Sequence, residues 1–290
     1  MKKFAVLFFL SVALFSFFSC EDLDDTVEEP HLIVKFKFDA HQARLNSLGQ
    51  PASLAPGNGA QSPEFNAISA HYFELARTAH TPLGDGTILY HGPETTEGGE
   101  VAIDFDQALV VKEGEAFLKI PLRLVTQGNY EYVRVSLAYQ DYNISVRNYG
   151  ADYQGNLSSF VGYNTFINTH FIGSNSFPIN GNRLQGYWAF ALNDYPFAAS
   201  GQTLLGATTV PNPIASSAPI PSGSCVMTGK FPKNLVINGN ENNDVVITLS
   251  LSTNNSFEWQ EVNFDGKFEP SIDENVVDMG LRGLIPTHSK

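Results

Sequence analysis

The chain is 290 residues long and carries 17 Lys and Arg against 30 Asp and Glu, a formal charge of −13 at pH 7. So acidic a chain excludes nucleic acid and anionic lipid headgroups as electrostatic partners, since both need the opposite sign. With 43% hydrophobic and only 16% charged residues it is also excluded from the disordered class and can bury a sizeable core.

Lys2 and Lys3 lead into an apolar run from Phe4 to Phe18, closed by Ser19-Cys20. A basic start, a short apolar middle and a small residue before a junction are the parts of a secretory signal. The run falls short of the ~20 apolar residues a spanning helix needs. Phe17-Phe18-Ser19-Cys20 resembles the lipobox of bacterial lipoproteins. That resemblance implies removal of residues 1–19, acylation of Cys20 and anchoring in membrane lipid. Cleavage would take 19 residues from 290 and leave 271, with Cys225 lacking any partner for an intrachain disulfide.

Residues 20–30 run Cys20-Glu21-Asp22-Leu23-Asp24-Asp25-Thr26-Val27-Glu28-Glu29-Pro30 and read as a solvated acidic linker. The stretch resembles the acidic export signal of Bacteroidetes surface lipoproteins, which implies the outer face of the outer membrane. Asp25-Thr26-Val27 resembles the O-glycosylation site of the same bacteria and marks Thr26.

Residues 31–290 are expected to form a single domain. Leu32, Val34, Phe36 and Phe38 alternate with Lys35 and Lys37, the period of a half-buried strand. Asn46 to Pro63 is rich in Gly, Pro, Ala and Asn and reads as a loop. Ser69 to Ala76 is a strand expected to place His71, Phe73 and Leu75 on one side and Tyr72 and Glu74 on the other. Pro82-Leu83-Gly84-Asp85-Gly86 then turns the chain into Thr87–Tyr90, making a hairpin. Short strands follow over Val101–Phe105, Phe117–Val125 and Tyr130–Tyr139, the last with Val133, Val135, Leu137 and Tyr139 expected on one face. Ile144 and Val146 extend that pattern. Leu184, Trp188, Phe190 and Leu192 suggest a further strand, Asn193 to Ser224 is proline-rich and reads as a loop, and Asp244–Ser252 and Phe257–Val262 are late strands. No helical period is sustained after the signal. The class expected is all-β: an antiparallel β-sandwich, Ig-like or jelly-roll-like, with long Gly/Pro-rich loops.

Three stretches resemble the MbnP-like domain, a secreted or lipid-anchored bacterial β-sandwich family. They are His71-Tyr72-Phe73-Glu74-Leu75 with Leu83-Gly84-Asp85-Gly86, Gly128-Asn129-Tyr130-Glu131-Tyr132-Val133, and Gly186-Tyr187-Trp188-Ala189-Phe190. The resemblance implies copper handling. Where the family carries a later His-x-Gly element, this chain has Cys225-Val226-Met227-Thr228-Gly229, so copper ligands do not carry over residue by residue.

Read from the residues themselves, several groups could bind. Cys225 and Met227, two apart, would share a strand face and suit a soft metal such as Cu(I); buried core residues are the alternative. Asp39 and His41 are spaced for one strand face, with His71 and His31 as distant companions for a metal. Glu94, Glu97 and Glu100 with Asp104 and Asp106 offer hard oxygen ligands, though no calcium-loop pattern. Trp259 could stack a sugar ring, whereas Trp188 reads as core. No Gly-x-Ser-x-Gly, Walker A or strand-linked Gly-x-Gly-x-x-Gly occurs. Without an evident catalytic site or required cofactor, the sequence points to a lipid-anchored surface protein that binds or presents a ligand. An MbnP-like copper-handling protein and a glycan-binding or carbohydrate-active protein are the alternatives.

Overall fold

The computed structural model describes residues 29–46, 49–203, 219–221 and 223–290. Cys20, Thr26, the stretch read as a signal and most of the acidic residues after it lie outside the described residues, as does much of the proline-rich stretch Asn193 to Ser224. Strand is the dominant regular structure of the described residues, with single 3-10 turns at Phe105–Gln107, Leu122–Leu124 and Pro270–Ile272. None of their helices is long and apolar enough to cross a membrane.

The fold is an all-β sandwich. One four-stranded sheet runs in the order Leu284–Ser289, Val245–Ser252, His31–Asp39, Ala116–Pro121. Its middle pair is parallel, with Leu32 opposite Val245 and Phe38 opposite Leu251, and the other ladders are antiparallel. The alternation read from the sequence is what buries it: Leu32, Val34 and Phe36 together with Val245, Ile247, Leu249 and Leu251 form the main core.

That core packs against a larger sheet built on Gly128–Asn148, a 21-residue strand. Glu64–Ala76 pairs along one edge of it. The other edge is shared: Ala151–Phe160 pairs with its second half and Cys225–Ile237 with its first. A second core of Tyr142, Ile144, Leu157, Phe257, Trp259 and Phe268 fills the far end. It lies beneath a small sheet of Asn58–Gln61, Phe257–Gln260 and Val276–Asp278. The opposite face of the large sheet carries Tyr139, Phe160 and Tyr187, which pack against Ile167 of the covering strand Asn164–Ile172 and Ile179 of Asn175–Leu184.

Two bulges correct the expected faces. Ser69 pairs with Tyr139 but Ala70 with Leu137, so Ala138 is an extra residue; Ala70 pairs with Leu137 but Tyr72 with Ser136, so His71 is another. An extra residue shifts every later side chain to the other face. Val133, Val135 and Leu137 therefore point into the main core while Tyr139 points away from it. Likewise Ile68, Ala70, Phe73 and Leu75 face that core, and His71 does not share their face. The proline-rich stretch also differs from expectation, because Ala198–Gln202 forms an edge strand on Tyr187–Leu192. Leu184 is exposed at the end of its own strand rather than packed beside Trp188 and Phe190.

His170 is buried among the rings of Phe105, Tyr139 and Phe160, and its Nε2 has no hydrogen-bond partner among the described residues. Burial pushes its pKa down to about 4, against the opposing pull of the Asp141 carboxylate. Below about pH 6.5 the unfolded chain therefore binds a proton that the folded chain refuses until about pH 4. Stability from this group is full above 6.5 and falls by about 3 kcal/mol by pH 4. Urea melts at pH 7 and pH 4.5 should show a smaller acid loss in His170→Gln than in the native chain; equal losses would refute the assignment.

Candidate metal centre

Strand Glu64–Ala76 is buried on both faces from Ile68 onward. The bulge at His71 turns its imidazole outward from the main core, the re-aiming that bulges near functional sites produce. The antiparallel partner Thr87–His91 sets His91 opposite Tyr72, beside His71. Gly92 then donates its N–H to the His71 carbonyl at 2.6 Å. A Cβ on Gly92 would stand 3.2 Å from His71 Cδ2 and 3.3 Å from its carbonyl oxygen, so glycine permits this close turn. Two residues later Glu94 enters the short strand Glu94–Thr95, which pairs with Ala102–Asp104.

These turns bring three ligand-type side chains together. His71 Nε2 lies 3.1 Å and His91 Nε2 3.8 Å from Glu94 Oε1, and the two imidazole centroids are 4.7 Å apart. Among the described residues, this is the group of three His, Cys, Asp or Glu side chains whose ligand atoms converge, all within 4.8 Å. Ligands about 2.1 Å from a tetrahedral ion are about 3.4 Å apart, a separation bracketed by the two contacts to Glu94. The site is buried on one side and open on the other: the His71 side chain is 0% exposed, Glu94 28% and His91 42%.

The electrostatics suit ligation. Both ring nitrogens of His71 are buried; Nδ1 has no hydrogen-bond partner among the described residues, and Nε2 faces the Glu94 carboxylate at 3.1 Å, which leaves a buried polar ring incompletely satisfied. Burial, and next the neighbouring His91, push the His71 pKa down to about 4 against the pull of Glu94. At neutral pH His71 is therefore an unprotonated donor, the form a metal requires. Tyr163 donates its hydroxyl to Glu94 Oε1 at 2.8 Å, and burial together with that carboxylate pushes the phenol pKa up. A protonated Tyr163 thus orients the carboxylate, as outer groups do around metal ligands. Two imidazoles and one carboxylate with an open side are the donor set of open zinc and non-haem iron centres, and imidazole also suits copper and nickel.

Of the residues singled out in the sequence, His71 is in this group and Glu94 joins it, in metal rather than calcium company. Asp39 and His41 take no part. The Asp39 carboxylate accepts from Lys37 Nζ at 2.8 Å and from the His41 N–H at 2.9 Å, closing a surface turn, and the His41 side chain is exposed. His31 is beside Asp244, 3.8 Å away. Asp104 caps the turn at Phe105–Gln107 and Asp106 accepts from Asn168, so these carboxylates do separate work. Trp259 is 0% exposed in the second core and presents no face on which a sugar could stack. Cys225 and Met227 do share a face and line one small cavity. His91 escaped the sequence reading, although the expected hairpin, extended by one residue, sets it beside His71. No protein-family model matches the chain, and no curated protein or solved structure does.

Proposed function

We propose that this protein is a lipid-anchored protein of the outer-membrane surface that binds a divalent transition-metal ion, Zn²⁺ or Cu²⁺, through His71, His91 and Glu94. The observation that carries the reading is a buried His71 imidazole converging with a second imidazole and a carboxylate within 4.8 Å. Copper at this site accords with the MbnP-like resemblance, whose first stretch contains His71. The lipid anchor rests on the lipobox ending at Cys20, and the acidic residues after it support a surface location. Acyl chains contribute ~0.8 kcal/mol per buried CH₂, so the acidic domain need not attract the membrane itself.

Equilibrium dialysis of the soluble domain against Zn²⁺ and Cu²⁺ should retain one equivalent per chain. His91→Ala and Glu94→Gln, both at the open side, should lower the affinity about 100-fold or more with little change in melting temperature. Retention unaffected by either change would refute the site. Incorporation of a labelled fatty acid that survives Cys20→Ala would refute the anchor.

A further inference from the structure

After Cys20 the sequence contains three sulfur-bearing side chains, Cys225, Met227 and Met279, and all three line one cavity of about 90 Å³. The cavity sits where the large sheet changes partners. Cys225 pairs with Leu137 and Phe160 with Tyr139, and the bulged Ala138 between them accepts the N–H groups of Val161 and Gly162 at 2.9 and 3.0 Å. The ladder is interrupted there, which leaves Leu137, Gln140, Ser159 and Val161 on the sheet side. Asp278 to Arg282 close the other side, with Gln140 Nε2 donating to the Met279 carbonyl.

Sulfur chemistry is concentrated here and polar satisfaction is not. Gln140 Oε1 and Ser159 Oγ belong to buried residues lining the cavity, and neither has a hydrogen-bond partner among the described residues. Met227 and Met279 are buried, and Cys225 is half-buried. Asp278 and Arg282 also line the cavity but ion-pair with each other, so their charges largely cancel.

We propose that this cavity is a binding site for a soft monovalent ion, Cu(I) or Ag(I), held by Cys225 Sγ and the thioethers of Met227 and Met279. Thioethers are neutral, polarisable donors that favour soft ions over Zn²⁺, Mg²⁺ or Ca²⁺. A monovalent ion on one thiolate is electrically neutral and fits the mainly apolar walls, whereas a divalent ion would leave a buried positive charge. A thiol with an ordinary pKa of about 8.5 is protonated at neutral pH, so Cys225 enters the exchange as Cys–SH. Binding is then an exchange, Cys–SH + M⁺ → Cys–S–M + H⁺, without change of oxidation state. The site is independent of the histidine centre.

Silver ion is the probe, because it is soft and stays monovalent. The full mature chain should bind one Ag⁺ with a sulfur-only coordination shell by X-ray absorption, and His91→Ala should leave that shell unchanged. Cys225→Ser, and separately Met227→Leu with Met279→Leu, should each weaken Ag⁺ binding about 100-fold. The double leucine variant preserves packing volume, so it carries the test if Cys225→Ser fails to fold. A nitrogen or oxygen shell, or undiminished affinity in the double leucine variant, would overturn the proposal.

Discussion

Arg134→Ala is expected to lower stability by about 3–5 kcal/mol, because it strands a buried carboxylate. Glu74 is fully buried, and its Oε1 accepts from Arg134 Nη1 at 2.7 Å. Its Oε2 accepts from the Tyr72 hydroxyl at 2.6 Å and from the Gly84 N–H at 2.8 Å, while Arg134 Nη2 donates to the Thr81 carbonyl. The network thereby ties the loop after Glu64–Ala76 back onto the sheet, and this is the loop that feeds the chain into the strand ending at His91. Urea unfolding would read the loss. Arg134→Met combined with Glu74→Leu should recover most of it, since removing both charges removes the unpaired one. A loss below about 1 kcal/mol, the range of an exposed pair, would show that the network does not hold the loop.

Trp259→Ala is expected to cost about 3–5 kcal/mol as a large-to-small change in a filled core. The indole packs against Phe257 and Phe268, with ring centroids 6.0 and 5.6 Å away. Its other side is met by backbone so closely that a Cβ on Gly59 would lie 2.5 Å from Trp259 Cε2. The indole Nε1 has no partner among the described residues, so Trp259→Phe gives up volume but no hydrogen bond and should cost distinctly less. Thermal melts of the two variants decide between core and ligand platform. A Trp259→Ala protein that melts like the native chain but loses binding to a glycan would restore the platform reading.

The candidate sites were only partly legible in the sequence. His71 was visible as a ligand-type residue, but its companions were not Asp39 and His41, which the spacing along one strand suggested. A single strand's period says which side chains share a face, and the bulge at His71 changes that face. The cavity had a partial signal in Cys225 and Met227; Met279, 52 positions beyond Met227, had none. Strands such as Ala151–Phe160 and Asn175–Leu184 also gave little warning, because Ser, Asn and Gly there blur the alternation.

By itself the sequence determined the all-β class and which residues of Leu32–Phe36 enter the core. Alternation is imposed by the extended backbone within one strand and needs no partner to be legible. Only the tertiary structure decided where that alternation breaks, which strand hands over to which along Gly128–Asn148, and how His71 meets His91 and Glu94. Bulges and ladder interruptions are properties of two strands in register, set by what each must pack against, and they are written in no single stretch of the chain.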